Sequence, residues 1–180
     1  AIELDPQPRY YVIRAETHYK LNNLKETVNN FLNALELDSR NAIAIDEITT
    51  VLNTAGQAHE AIIIMTKLLT LNGQHPLSVV ARGRAELVQR RWTDAVRDFT
   101  TAIEAYPQRA DLYRMRGTAQ SELHIRDKSL ADLRHAVQLD PNSLIAQLEL
   151  ARACNHFGEY TDAVNTCDTA LRLDPNSADA

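Results

Sequence analysis

Between Leu144 and Ser177 the chain carries two segments whose apolar residues recur at helical spacing, Leu144–Phe157 and Thr161–Leu173. Each puts those residues on one face, the pattern of a helix buried along one side. Gly158-Glu159-Tyr160 separates the two segments, and Asp174-Pro175-Asn176 follows the second. Gly158 suits the left-handed backbone that commonly follows a helix, and Pro175 cannot continue one. The stretch reads as helix, tight turn, helix.

The rest of the chain repeats it. Pro107, Pro141 and Pro175 are evenly spaced, and one such step is the period of everything that follows. The same step links Ala34, Leu68, Ala102, Ala136 and Ala170, then Thr27, Ala61, Ala95, Ser129 and Ala163, then Ala15, Thr49, Gly83, Gly117 and Ala151. These three columns are small or nearly so, as close helix crossings require. Bulkier columns run between them: Phe31, Met65, Phe99, Leu133 and Cys167, and Leu35, Leu69, Ile103, Val137 and Leu171. Small residues at crossings with large ones filling the gaps is how helix pairs interlock. Five units from Pro8 to Ser177 keep this register without insertion. Helices are predicted near 8–21 and 25–38, 42–55 and 59–72, 76–89 and 93–106, 110–123 and 127–140, and 144–157 and 161–174. Thr93, Asp127 and Thr161 stand where second helices need an N-cap, and Asn41 stands there before a first helix.

This period and these columns resemble the tetratricopeptide repeat family, whose 34-residue helix pairs carry a loose W-x2-L-G-x2-Y…A-x3-F…P pattern. The best matches are Tyr113/Gly117/Leu133/Ala136/Pro141, Gly83/Ala95/Phe99/Ala102/Pro107 and Leu150/Ala151/Ala163/Ala170/Pro175. Departures are Arg14, Arg82 and Arg116 where the family has Leu, and Ser39 and Gly73 where the closing Pro is expected; 42–75 is the most degenerate unit. The resemblance implies an all-α, right-handed α-solenoid. It divides the chain into a half repeat over 1–7, repeats at 8–41, 42–75, 76–109, 110–143 and 144–177, and the start of another at 178–180. Ala1–Pro6 matches the end of a second helix, one residue short, so a longer array is expected on either side.

Composition narrows the function classes. The 180 residues are 44% hydrophobic, enough for a substantial core. A net charge of −5 argues against a nucleic-acid partner, which needs a basic stripe. No run approaches the roughly 18–20 apolar residues of a membrane span. Cys154 and Cys167 fall in core columns, as buried reduced thiols or, in the second reading, as a disulfide between facing helices. His18, His59, His75, His124, His135 and His156 include no pair with metal-ligand spacing on one helix. No phosphate loop, nucleophile elbow or H-E-x-x-H occurs. Trp92 shares a turn column with Leu24 and Tyr160 and reads as turn packing. No catalytic, cofactor or metal residue is assigned, and an enzyme is not expected.

A solenoid offers instead a concave surface built from its first helices. By resemblance, the candidate partner-binding residues are Tyr19, Asp46, Glu47, Leu77, Val80, Arg84, Leu87, Arg114 and Arg152. Asp46 and Glu47, with Glu16, make the N-terminal third acidic. Leu77, Val80 and Leu87 form an apolar stripe expected to be open, and such patches mark contact sites. Arg84, Arg114 and Arg152 form a basic track suited to an acidic or C-terminal carboxylate portion of a ligand. Co-chaperones of the family grip acidic chaperone tails with Lys, Asn and Arg; the matching places here hold Val12, Glu16, Glu47, Leu77 and Ala81. The Asn ladder of O-linked N-acetylglucosamine transferases falls on Ile13, Glu47, Ala81, Met115 and Glu149. Neither specialisation matches. The expected function is a protein-interaction module binding a protein or peptide. A regulatory segment of a larger enzyme, or a homo-oligomer formed through the terminal units, is the alternative. Self-association would use Tyr10, Tyr11 and Ile13 at the stickier N-terminal end, or Val164, Leu171 and Leu173 at the other.

Overall fold

A computed structural model describes residues 6–73 and 75–174. Those residues form ten helices and no strand: α1 (Pro8–Lys20), α2 (Leu24–Leu37), α3 (Ala42–Thr54), α4 (Ala58–Asn72), α5 (Pro76–Val88), α6 (Trp92–Ala105), α7 (Ala110–Glu122), α8 (Arg126–Leu139), α9 (Leu144–His156) and α10 (Tyr160–Leu173). Odd-numbered helices begin at the constant step of the repeat, from Pro8 to Leu144. The expected helix end at 1–5, the stop at Pro175 and the new helix at 178–180 lie outside the described residues.

The turn inside each pair has one solution used five times. Asn22, Gly56, Arg90, His124 and Gly158 hold the same place in successive pairs and have φ of 55°, 73°, 55°, 56° and 81°. Beyond four of them the next amide reaches back to a carbonyl in the last turn of the helix: Asn23 N–H to His18 (2.9 Å), Gln57 to Leu52 (2.7 Å), Ile125 to Gln120 (2.9 Å) and Glu159 to Cys154 (2.8 Å). This is the Schellman closure of a helix C-terminus. Of the five, only Gly158 is expected from the sequence to be left-handed; Arg90 and His124 take the same backbone without the glycine that would make it costless.

Because that closure leads straight into the next helix, second helices start one residue earlier than expected. Thr93, Asp127 and Thr161 are therefore already inside the first turn, not capping it, and the cap positions Arg91, Ile125 and Glu159 make no side-chain cap bond. Asp94 and Asp162 instead place negative charge in that turn, where the helix dipole favours it. Side-chain caps are made by Asn41 to the Ala44 amide (3.0 Å), as expected, and by Asn23 to Glu26 and Ser143 to Ala146 (3.3 Å each). α4 ends differently from the other second helices, on Gly73 at φ 69° and ψ −165°. That conformation is open to glycine and hardly to any other residue.

The chain divides into two compact units, one through residue 90 and one from residue 91. In the first, α1 to α5 enclose Phe31, Ile45, Ile48, Leu52 and Met65, with Ala15, Ala34 and Ala61 at the crossings. In the second, Leu130 and Leu133 of α8 pack with Leu150, Ala153 and Cys154 of α9 and Ala163 of α10. Gly117 on α7 lies so close to α8 that a Cβ there would stand 2.8 Å from Leu133 Cγ and 3.1 Å from the Ser129 carbonyl oxygen. Ser129 Oγ donates to the Gly117 carbonyl at 2.9 Å across the same crossing.

Arg116, where the family has Leu, also serves packing. Its guanidinium donates twice to Asp132, at 2.7 and 2.8 Å, and once to Thr100 Oγ1 at 3.2 Å. The hydrogen bonds to Asp132 push the Arg116 guanidinium up from its ordinary value. Arg82 repeats the threonine contact one unit earlier, reaching Thr66 Oγ1 at 3.5 Å. The long stem covers the place of the missing Leu while the fork ties two helices together.

Candidate partner-binding surface

In the first unit α5 packs against both α3 and α4. Val80 is 3% exposed. Leu77 packs partly buried against the core, and Leu87 is half-buried. The expected open stripe of Leu77, Val80 and Leu87 is therefore largely closed: Val80 is buried and the other two are partly so. The apolar side chains that do stand open on first helices of this unit are Ile13, Tyr19, Ile43 and Val88. Tyr19 borders a hollow of about 220 Å³ with Asn22, Leu24, Thr54 and Ala55.

The charges also pair in a way the sequence order hides. Arg84 of α5 donates to Asp46 of α3 at 2.5 Å, joining the acidic patch to the first member of the expected basic track. Adjacent first helices bring the two together across more than a full repeat of chain, so Arg84 is not an open anion site. Glu47 is half-buried beside Asp46 in sequence.

In the second unit α7 packs against α9. A hollow of about 300 Å³ lies there, lined by Thr118 and Glu122 of α7, Glu149, Arg152 and His156 of α9, and His124 of the turn after α7, over Leu133 and Ala153. Thr118 Oγ1 donates to Glu149 at 3.3 Å, and Arg152 meets the other oxygen of that carboxylate at 3.5 Å. Arg152 stays exposed, and Arg114 is half-buried on α7. Of the basic track, these two arginines remain in one unit. His156 Nε2 and His124 Nδ1 lie 3.0 Å apart with their rings stacked. Metal-ligand spacing along one helix does not reveal this pair, because it joins a turn to the end of a helix in the next repeat.

Among the described residues, Cys154, Glu159 and Asp162 bring ligand-type atoms within 4.8 Å of one another. Arg126 and Arg134 already occupy this cluster, Arg126 on Glu159 at 2.7 Å and Arg134 on Glu159 and Asp162 at 2.6 and 2.8 Å. The Arg126 hydrogen bond, with that of Arg134, holds the Glu159 carboxyl below its ordinary range. Burial pushes the Cys154 thiol up. The guanidiniums thus supply the positive charge a cation would bring. Cys154 is buried, Cys167 partly so, and both are free thiols.

One tetratricopeptide repeat family model matches residues 80–123 and a second matches 127–180. The chain belongs to the tetratricopeptide repeat family. Among curated relatives, the rice protein SGT1 homolog is 34% identical over 93 residues, which cover 52% of this chain and 24% of that protein. The Dictyostelium discoideum STIP1 homolog is 26% identical over 106 residues, covering 59% of this chain and 19% of the relative. The chain thus spans about a fifth of the length of these relatives. Among solved structures, MamA from Desulfovibrio magneticus RS-1 superposes with a TM-score of 0.79 at 16% identity, covering 95% of this chain and 97% of that one. YrrB, described as a TPR protein with an unusual peptide-binding site, gives 0.73 at 18% identity, covering 99% and 92%. The fold of this tetratricopeptide repeat chain is that of these solenoid proteins.

Proposed function

We propose that the protein is an interaction scaffold that holds a segment of another protein against the inner faces of its first helices, and that its role is binding and not catalysis. We read 8–41, 42–75, 76–109, 110–143 and 144–177 as the repeats that carry it. The observation that carries the proposal is the hollow between α7 and α9, where Thr118, Glu149 and Arg152 present donors, acceptors and both charge signs to solvent. Backbone amides and carbonyls of a peptide can be met by such a set, and Arg114 and Arg152 favour a ligand whose acidic or carboxylate end lies toward them. The likeness to YrrB, described as a TPR protein with a peptide-binding site, supports a peptide as the class of partner. Gripping of acidic chaperone tails is not carried over: Val12 and Ala81, at two clamp places, are buried. A peptide array scored for acidic and basic C-terminal segments tests the reading. Arg114→Glu and Arg152→Glu are expected to weaken acidic ligands, more so at low salt. Equal loss for acidic and basic ligands, or no peptide bound by the wild type, would overturn it.

A second reading, self-association, rests on α10. Leu130 and Leu133 of α8 are covered by α9 and are 2% and 1% exposed, whereas Val164, which holds the place of Leu130 in the next repeat, is 60% exposed. Val164, Cys167 and Leu171 border a hollow of about 490 Å³. A helix from a second copy would fill it as α9 covers α8. Sedimentation of wild type against Val164→Lys tests this; a wild type that stays monomeric at high micromolar concentration ends it.

A further inference from the structure

We propose that His124 and His156 together bind one divalent transition-metal ion of the nickel and copper class. Their facing nitrogens, Nδ1 and Nε2, are 3.0 Å apart. Neutral imidazole carries one N–H and one lone pair, so one ring donates to the other in the empty site. If the donating ring moves its proton to its second nitrogen, both facing nitrogens carry lone pairs with no proton released, and a modest rotation of the two rings aims them at one ion beside the line joining them. An ion placed there replaces the hydrogen bond.

The separation is close to what two ligands of one ion need. With metal–nitrogen bonds of about 2.0–2.1 Å, a 3.0 Å gap between nitrogens subtends about 94° at the ion. Tetrahedral ligands on the same bonds would lie about 3.3 Å apart, so a small shift of the exposed rings reaches either geometry, and the choice of metal rests on affinity, which among divalent ions rises to nickel and copper. Imidazole is a good ligand for nickel and copper ions.

Both rings hang from fixed backbone. His124 sits in the left-handed turn, its amide bonded to the Ser121 carbonyl at 2.9 Å and its successor's amide to Gln120. His156 is the last residue of α9, and the Phe157 ring meets it edge-on at 4.7 Å. Both histidines are exposed, which leaves water free to fill the remaining coordination positions. Glu122 and Glu149 line the same hollow and offset the charge of the ion, against the single Arg152. Because the site faces the surface proposed for partner binding, a donor atom from a bound segment could take one of those positions.

The test titrates the full chain with nickel chloride at pH 7.5, read by calorimetry and by paramagnetic broadening of histidine resonances. One site is expected, with broadening centred on His124 and His156. His124→Gly and His156→Asn are each expected to weaken it at least tenfold. Glycine accepts the left-handed backbone at position 124, so that variant keeps its fold, checked by its melt. His135→Asn, on α8, is expected to leave affinity unchanged. No binding by the wild type at millimolar nickel, or loss in only one of the two site variants, would overturn the shared site.

Discussion

Gly117→Ala sets two effects of opposite sign against each other. In a helix interior, replacing Gly by Ala favours folding by about 1 kcal/mol through helix propensity. Here the new methyl would stand 2.8 Å from Leu133 Cγ, 3.2 Å from Leu133 Cδ2 and 3.1 Å from the Ser129 carbonyl oxygen. Cγ is not the free end of a side chain, Leu133 is 1% exposed, and the carbonyl belongs to α8 itself, so none of the three can swing aside. α7 and α8 must separate, which also stretches the 2.9 Å bond from Ser129 Oγ to the Gly117 carbonyl. Overpacking of this kind costs about 1–3 kcal/mol; with the bond stretched as well, the clash outweighs the gain in helix propensity, and a net loss of about 1–2 kcal/mol is expected. Urea unfolding of both forms measures it. Leu133→Ala removes the obstructing atoms, so the double variant should be less destabilised than the sum of the single ones by about 1–2 kcal/mol. A Gly117→Ala protein that unfolds at higher urea than wild type would refute the close crossing.

Ala136→Leu, at a fully buried crossing position, should cost about 1–3 kcal/mol in the same assay, with the loss of amide protection concentrated in neighbouring helices. Asp132→Ala leaves Arg116 without its carboxylate in a largely covered position and should cost about 3 kcal/mol; adding Arg116→Leu, the family's residue, should recover much of that in a double-mutant cycle. Arg90→Gly relieves a left-handed non-glycine residue and should raise the melting temperature, corresponding to about 0.5–1 kcal/mol; a fall would mean that the Arg90 side chain matters more than its backbone. Burial, then the nearby Arg40 charge, lowers the pKa of His75 from 6.5, so the fold prefers the neutral ring. Its contribution is complete above about pH 6.5 and is lost as pH falls through the lowered folded value, so melting temperature should decline on that limb and decline less in His75→Gln.

The fold was readable because the interlocking of helices is a local and repeated demand. Ala34, Ala102, Ala136 and Ala170 are all fully buried, and each could be named from any other by counting whole periods of the repeat. Turn geometry was read only at Gly158, although Asn22 and Gly56 are also residue types that favour it, whereas nothing in Arg90 or His124 announces a left-handed backbone; the repeat imposes it from both sides. Helix starts slipped by a residue for the same reason, because a Schellman turn hands its last residue to the next helix. Surface chemistry was the least legible part. Val80 and Arg84 are placed by resemblance to the family's repeat, which says which way a residue points relative to its own helix. It does not say whether that direction is buried in the fold, as Val80 is, or is met by a carboxylate, as Asp46 meets Arg84.

The turn column shows how such a scaffold acquires chemistry. A left-handed residue other than Gly costs on the order of 1 kcal/mol, and Asn and Gly, which fit best, occupy three of the five places. Arg90 and His124 carry that cost. For His124 the structure shows what a glycine could not supply: a ring held 5.0 Å from that of His156 at the mouth of a polar hollow. Backbone geometry at this position is set by the hairpin on either side, so the side chain is free to vary without loss of the turn. If the histidine were only tolerated, His124→Gly would be more stable and otherwise silent. If it is retained for its nitrogen, the same substitution should gain stability and lose metal binding together, a pairing of outcomes that a purely structural role would not produce.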